Sequence, residues 1–246
     1  MSIKSVIASV RALHQRKYRD QEGAFLVQGP KLVEDLLATD FIIREIHATE
    51  EAAQRSNDAR TQVWPDHVLE RMGTLESGNQ VIAVVERPKV GVIDRLDADE
   101  FVIALDGIAD PGNLGTILRI ADWFGVKRIV CSADAVDEFN PKCVQASMGS
   151  IFRVAVHRGD LPKELGRLRA EGARLDLASM EGESVFNVPL PRPAILILGS
   201  ESHGPSDAVR ALKPRMISVP RYGAAESLNV AMAASALCME YSRRSD

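Results

Sequence analysis

A polar, glycine-containing segment, DGIADPGN, follows an apolar run that ends near Asp106, and it leads into a helical pattern. Asn113 suits the N-cap of that helix, and the neighbouring glycines would let a ligand approach the backbone closely. Arg119 lies six residues further on, among apolar residues of the same predicted helix, where an arginine is unexpected. The spacing leaves two interpretations open: a functional arginine, or one that reaches solvent or pairs with a carboxylate such as Asp122 or Glu201.

Two further segments of this kind follow apolar runs later in the chain, within AILILGSESHGPS and MISVPRYGAAESLNVAMAA. In the first, Glu201 lies at the tip of a predicted buried strand, where a carboxylate is costly unless it is paired or contacts a ligand. Ser206 suits the N-cap of the next helix. In the second, the strand stops at Pro220 and Ser227 is predicted to cap the C-terminal helix. Asn229 then falls in the first turn, where backbone N–H groups are free.

Residues 101–246 alternate short apolar runs with segments of helical periodicity. The predicted strands are FVIALDGI, RIVCSA, RVAVHR, RLDLASM, AILILGSE and MISVP. Because strands that alternate with helices form largely parallel sheets, we expect an α/β domain with helices on both faces. Such sheets bind ligands at the carboxyl ends of their strands, so the three polar segments are expected at one edge.

The preceding residues show a separate pattern. Residues 1–87 predict a small α/β domain, with strands in AFLVQG, FIIREIHAT, QVWP and NQVIAVVER. Residues 88–100, which contain proline, glycine and several charges, suit a linker. The sequence therefore predicts two domains, 1–87 and 101–246.

The net charge of −4 does not by itself indicate a nucleic-acid partner. The first 19 residues, however, hold basic side chains and no acidic one. Screening limits each charge to about 8–10 Å, so a local basic patch can bind phosphate even on an acidic protein. The alternative is a solvated helix face. The candidate contacts are Arg11, Arg16, Lys17 and Arg19.

The three cysteines, Cys131, Cys143 and Cys238, are odd in number and are not spaced like metal ligands. We expect reduced thiols and no metal site. No apolar run is long enough to span a bilayer, and the N-terminus lacks the apolar core of a signal peptide. These features favour a cytoplasmic protein without a membrane partner.

Three pieces taken together resemble the signature motifs of the SpoU-type (TrmH-like) RNA 2′-O-ribose methyltransferases of the SPOUT superfamily. They are D-P-G-N-L-G-T-I-L-R-I-A (110–121), I-L-I-L-G-S-E-S-H-G-P-S (195–206) and I-S-V-P-R-Y-G-A-A-E-S-L-N-V-A-M-A (217–233). Each piece is weak alone, but their order and spacing are specific, and the similarity covers about residues 101–242. Residues 1–87 resemble, less specifically, the ribosomal-protein-like RNA substrate-binding domain that many members carry in front.

The resemblance implies a fold and an activity. The C-terminal part of the parallel sheet would form a deep trefoil knot, and two copies would form a homodimer through the knotted domain. The enzyme would transfer a methyl group from S-adenosylmethionine to a ribose 2′-hydroxyl of RNA, leaving S-adenosylhomocysteine and using no metal. The two-domain layout favours ribosomal over transfer RNA, by analogy.

The resemblance also assigns site residues. The cofactor would be held by the segments around Leu198, Gly199, Val219, Pro220 and Leu228. The family's polar active-site positions correspond to Asn113, Arg119, Glu201, Ser227 and Asn229. Arg119 would act as the base or as an electrostatic clamp, oriented by Asn113 and Glu201, while Ser227 and Asn229 would fix the loop and the ribose. The basic residues near the N-terminus become candidate RNA contacts.

Two other classes of function remain as alternatives. A catalytically inactive RNA-binding module in ribosome assembly would share the fold, but the intact polar set argues against it. An unrelated nucleotide-binding α/β enzyme is disfavoured because no G-x-G-x-x-G, P-loop or G-x-S-x-G motif follows any predicted strand.

Overall fold

The computed structural model describes residues 2–56, 58–75 and 78–243. Every strand predicted from the sequence is present in it. The N-terminal elements are α1 (Ile3–Ala12), α2 (Arg16–Glu22), β1 (Ala24–Gln28), α3 (Pro30–Leu37), β2 (Ile43–Ala48), α4 (Glu50–Ser56), β3 (Thr61–Val63), α5 (Asp66–Met72) and β4 (Val81–Glu86). The elements that follow are β5 (Phe101–Asp106), α6 (Pro111–Trp123), β6 (Arg128–Ser132), α7 (Pro141–Ser147), a 3-10 turn (Ser150–Phe152), β7 (Ala155–Gly159), α8 (Leu161–Ala170), β8 (Arg174–Ser184), β9 (Ala194–Gly199), α9 (Asp207–Ala211), β10 (Arg215–Ser218) and α10 (Val230–Arg243).

The chain forms two compact units. The first comprises Met1–Lys89 and Asp137–Phe152, and the second comprises Val90–Val136 and Arg153–Asp246. Residues 137–152, with α7, thus group with the N-terminal residues although they follow β6 in the chain. The domain boundaries expected from the sequence, 1–87 and 101–246, treat each domain as continuous and stay a prediction.

The first unit is built on a four-stranded sheet in the order β1-β4-β2-β3. Strand β4 runs antiparallel to both β1 and β2, and β3 runs parallel to β2. All five residues of β1 are buried, because both faces of the sheet are covered. Leu26 packs into a core with Val10 of α1 and Leu69 of α5. On the other face the ring of Phe25 lies 4.5 Å from that of Phe139, measured between centroids.

A buried ion pair ties Asp137 to the N-terminal helices of this unit. The Nε of Arg19 donates to Oδ2 of Asp137 at 2.8 Å, and its Nη1 donates to the carbonyls of Leu13 and His14 at 2.9 Å. Arg19 is 1% exposed. Its prediction as an RNA contact is therefore wrong, because a guanidinium committed to a buried carboxylate cannot reach a phosphate. The sequence shows the charge of Arg19 but does not indicate its partner, Asp137, which lies 118 residues further along the chain.

The second unit is built on a six-stranded sheet in the order β10-β8-β9-β5-β6-β7. Every neighbouring pair of strands is parallel, which confirms the sheet predicted from the alternation of strands and helices. Strand β5 is buried along its whole length, as a central strand covered on both faces requires. Strand β9 lies between β5 and β8, although both precede it in the chain. The carboxyl ends of β5 and β9 are therefore adjacent.

Helices cover both faces of this sheet, also as predicted. Val102 and Ala104 of β5 lie in a core that includes Leu165 of α8. Phe101, which alternates with them, stacks on Tyr241 of α10 with 4.2 Å between the ring centroids. Helix α10 also packs against α6. Among the described residues, no helix combines the length and apolar character that crossing a membrane requires.

The buried ion pair predicts a specific loss of stability in the first unit. Replacing Arg19 by methionine would leave the Asp137 carboxylate buried with its main partner gone, which costs about 3–5 kcal/mol. We expect faster hydrogen exchange of the β1 amides in Arg19→Met, measured by mass spectrometry in the native state. The matched control is Arg16→Met, because the exposed Arg16–Asp20 pair spans 3.7 Å and is worth at most about 1 kcal/mol. Equal exchange in the two variants would contradict the prediction.

Candidate active site

The polar segments after β5 and β9 meet at the carboxyl edge of the parallel sheet. The last residue of β5, Asp106, pairs with Gly199 at the end of β9. The Oδ2 of Asp106, which is buried, accepts a hydrogen bond from the backbone N–H of Ser206 at 2.6 Å. Sequence reasoning missed this link, although an acidic residue that ends a buried apolar strand was a signal for it. The convergence predicted for these segments is confirmed.

Asn113, Glu201 and Asn229 form a hydrogen-bonded cluster drawn from all three segments. The Nδ2 of Asn113 donates to Oε2 of Glu201 at 3.1 Å. The Nδ2 of Asn229 donates to Oε1 of Glu201 at 2.9 Å and contacts Oδ1 of Asn113 at 3.0 Å. The backbone N–H of Val230, at the start of α10, also donates to Oε1 of Glu201 at 3.2 Å. One carboxylate thus fixes the beginnings of α6 and α10 relative to β9.

The helix caps correct two expectations and confirm a third. Asp110, not Asn113, is the N-cap of α6, and its carboxylate accepts from the backbone N–H of Asn113 at 2.9 Å. Asn113 sits in the first turn, which turns its amide toward Glu201. The sequence signal was Asp followed by Pro, since proline is favoured at the first helical position. Ser206 caps α9 as predicted.

Ser227 does not cap the C-terminal helix. Helix α10 begins at Val230, and the Oδ1 of Asn229 accepts from the N–H groups of Ala231 and Met232 at 2.9 and 3.4 Å. Asparagine is as good an N-cap as serine, so composition alone did not separate the two positions. Ser227 lies in the exposed loop that precedes the helix.

Arg119 is exposed on α6. Among the described residues it has no hydrogen-bond or ion-pair partner, whereas Asp122 pairs with Arg153 at 2.6 Å and Glu201 binds the two asparagines. The carboxylate pairing considered from the sequence is therefore not seen. Nor do Asn113 and Glu201 contact Arg119, so the expected orienting role is not seen either. The guanidinium, with five N–H donors, is open to bind an anion.

The residues expected to hold S-adenosylmethionine lie at the same edge of the sheet. Leu198 is buried and Gly199 half-buried at the end of β9, while Val219 and Pro220 are half-buried just after β10. Leu228, in the loop before α10, is 52% exposed. The half-buried Val219 and Pro220 and the exposed Leu228 offer apolar surface that fits an adenosine held without a glycine-rich phosphate loop.

The N-terminal candidates for RNA contact are now three. Arg11, Arg16 and Lys17 are exposed. Arg16 lies 3.7 Å from Asp20, a distance typical of a loose surface pair. These side chains can bind phosphate, which Arg19 cannot.

The cysteines take no part in the site. All three are buried, and none forms a disulfide. Burial raises the pKa of the Cys238 thiol to about 12, so it stays protonated and unreactive near neutral pH. Within the residues that the structure describes, no group of three or more His, Cys, Asp or Glu side chains could hold a metal ion.

Comparison with known proteins finds similarity over nearly the whole chain. Residues 100–239 match the SpoU rRNA Methylase family, and residues 4–87 match the MRM3-like substrate binding domain. The chain is 32% identical to the 23S rRNA (guanosine(2553)-2′-O)-methyltransferase RlmP of Bacillus subtilis, over 92% of each protein. The solved AviRb methyltransferase of Streptomyces viridochromogenes, in complex with S-adenosylmethionine, is 30% identical with a TM-score of 0.87 over 97% of both chains. A TrmH-family RNA methyltransferase structure from Porphyromonas gingivalis is 36% identical, with the same TM-score and coverage.

A match to more than half of the chain, together with relatives that align over nearly its whole length, leaves one assignment: the protein belongs to the SpoU rRNA methylase family.

Proposed function

We propose that this protein transfers a methyl group from S-adenosylmethionine to a ribose 2′-hydroxyl of ribosomal RNA, with the large-subunit RNA as the substrate. The observation that carries the proposal is the cluster of Asn113, Glu201 and Asn229, which joins three separate segments at the carboxyl edge of the sheet. Relatives that align over nearly the whole chain, RlmP among them, are named as 23S rRNA 2′-O-methyltransferases. The cofactor supplies a methyl group on a sulfonium, which needs in-line placement and no metal.

The residues of the protein must then activate the ribose 2′-hydroxyl, which is a poor nucleophile. A ribose hydroxyl attacks well only as its proton leaves, and help with that proton is worth about 10²–10⁴-fold in rate. A guanidinium is protonated near neutral pH and has no lone pair that could accept the hydroxyl proton. We therefore assign Arg119 to the RNA phosphate or the developing alkoxide, which it stabilises by its charge. The alternative, proton abstraction by Arg119, uses the same position.

The polar cluster has a different role in this proposal. Asn113, Glu201 and Asn229 hold α6 and α10 in register, so that Arg119 and the loop containing Ser227 face the same substrate. Ser227 is exposed in that loop, where its hydroxyl can bind the ribose. Leu198, Gly199, Val219, Pro220 and Leu228 surround the methyl donor.

The first experiment is transfer of labelled methyl groups to total RNA from cells that lack this enzyme, followed by nuclease digestion. A labelled 2′-O-methylated nucleotide in 23S rRNA is the expected product. Binding of S-adenosylmethionine without any transfer would favour the inactive RNA-binding module. Absence of cofactor binding would overturn the proposal.

In the same assay, we expect Arg119→Ala to lose at least about 10²-fold in turnover while S-adenosylmethionine affinity is kept. The matched variant Arg119→Lys retains the charge, so an electrostatic role predicts partial activity. Cofactor affinity is measured by calorimetry. Normal methylation by Arg119→Ala would exclude both roles considered for this residue.

We also propose that Arg11, Arg16 and Lys17 bind the RNA through its phosphates. For Arg11→Glu combined with Lys17→Glu, we expect weaker RNA binding and a shallower salt dependence, because the slope falls by about 1 for each phosphate that is no longer neutralised. Filter binding across a salt series measures both quantities. Arg44→Glu, which makes the same charge change at a residue already paired with Glu86, is the control. An unchanged slope would remove these residues from the RNA interface.

We infer that the enzyme is a homodimer through its second unit. Helix α10 exposes Met232 and Met239, seven residues apart on one face, at 62% and 60%. Trp123, which ends α6, is 83% exposed. Helices α6 and α10 pack together. Large apolar side chains exposed on such a pair are typical of an interface, and a second copy of this chain is the expected occupant. The strand order, with β9 between β5 and β8, supports a knotted C-terminal part. The three cysteines are buried and form no disulfide, which supports a cytoplasmic location.

Disrupting the exposed α10 face tests the dimer. We expect Met232→Glu combined with Met239→Glu to halve the mass measured by light scattering, because like charges would face each other across a two-fold interface. Ile42→Glu introduces the same change at an equally exposed apolar residue of the first unit and is expected to leave the mass unchanged. A dimer that persists in the double variant would place the interface elsewhere.

A further inference from the structure

Strand β8 is interrupted near its middle. Its pairing with β10 passes from Leu177–Met216 directly to Glu183–Ile217. Residues 178–182 therefore form a bulge that has no counterpart in β10. Even one extra residue in a strand bends it and re-aims the residues beyond it, and here five residues are inserted between parallel strands.

Gly182 closes this bulge against the backbone of β10. A Cβ added at Gly182 would lie 2.6 Å from both the backbone N and the carbonyl carbon of Ile217. These atoms belong to a paired strand, so no side-chain rotation could relieve the clash. Just beyond, the N–H of Val185 donates to the carbonyl of Ser218 at 2.9 Å. The end of β10 is thus held at a separation from β8 that a residue without a side chain permits.

Strand β8, which carries the bulge, lies between the two strands that lead into the proposed cofactor segments. Strand β8 is the neighbour of both β9 and β10 in the sheet. Leu198 and Gly199 end β9, and Val219 and Pro220 directly follow β10. Pairing of β8 with β9 stops at Leu177, so the bulge begins where β9 continues toward its carboxyl end.

The start of β10 is held by separate interactions. The Nε of Arg215 donates to Oδ1 of Asp176 at 2.6 Å, and its Nη1 donates to the carbonyl of Pro189 at 2.8 Å. The hydroxyl of Tyr241 donates to Oδ2 of Asp176 at 2.5 Å. Burial, reinforced by the charge of Asp176, raises the pKa of Tyr241 and keeps this donor protonated. A disturbance at Gly182 therefore acts on the end of β10 and not on its beginning.

We propose that Gly182 is a positioning residue for methyl transfer: it sets how closely the end of β10 approaches β8 and so fits Val219 and Pro220 to the methyl donor. The inference rests on the proposed function and extends it to a residue outside the three motifs. Asn229 is held by Glu201, from the β9 side. A change at Gly182 consequently affects cofactor binding more than the chemical step.

The test is a steady-state comparison of Gly182→Ala with the wild-type enzyme on the same RNA. We expect the KM for S-adenosylmethionine to rise by at least about tenfold, while kcat at saturating cofactor stays within about threefold. Gly159→Ala is the matched control, because a Cβ on this strand glycine of β7 would meet no atom within 4 Å. Equal KM values for the two variants would overturn the proposal.

A second measurement needs no variant and covers the case in which Gly182→Ala fails to fold. In the wild-type protein, saturating S-adenosylhomocysteine is expected to slow hydrogen exchange of the Val185 amide more than that of Arg215. Equal effects at the two amides would also overturn the proposal. Wild-type enzyme that binds the cofactor but transfers no methyl group would instead contradict the proposed function and leave the exchange result interpretable.

Discussion

The carboxylate of Glu201 is the acceptor on which the arrangement of the polar segments depends. Its two oxygens take N–H donors from Asn113, Asn229 and the backbone of Val230. Hydrogen bonds to an ionised acceptor are shorter and stronger than neutral ones, but at an exposed position water competes for them. The geometry of the cluster therefore depends on how firmly the backbone holds Glu201 in position. That backbone is a tight loop, closed by the bridge between Ser200 and Gly204 at the end of a buried central strand.

The parallel sheet explains why one side chain can reach both partners. Strand β9 lies next to β5, so the segment after β9 starts beside the segment that enters α6. Helix α10 packs against both α6 and β9, which brings its first turn to the same edge. The strands are rigid because they are buried on both faces, and the loops supply the varied chemistry. The bulge in β8 is likewise local: it affects the approach of β8 to the end of β10, while the pairing of β8 with β9 and with the start of β10 stays regular.

The sequence predicted the elements and their order well, because hydrophobic periodicity reports which face of a segment is buried. The place of the three polar segments after parallel strands predicted that they lie at one edge of the sheet, and the family resemblance assigned Asn113, Glu201 and Asn229 to the site. The sequence did not predict partners that are distant along the chain. Arg19 has the same charge as Arg16, and only the fold distinguishes a buried ion pair from a solvated side chain. The grouping of residues 137–152 with the N-terminal unit has the same origin, since packing against β1 leaves no local signal.

The hydrogen bonds of the site indicate which groups are left for substrate. Both polar atoms of the Asn113 side chain, the Nδ2 of Asn229 and both oxygens of Glu201 are used within the cluster, and the Oδ1 of Asn229 caps α10. Arg119, by contrast, has all five N–H donors open in the part of the chain that the structure describes. An exposed charge acts weakly at a distance, because salt screens it within about 8 Å. It becomes effective when bound RNA excludes water around it. In the proposed mechanism, the hydrogen-bonded cluster is in place before RNA binds, whereas the charge of Arg119 takes effect only when RNA is docked. The rate of methyl transfer would then depend on correct docking of the substrate.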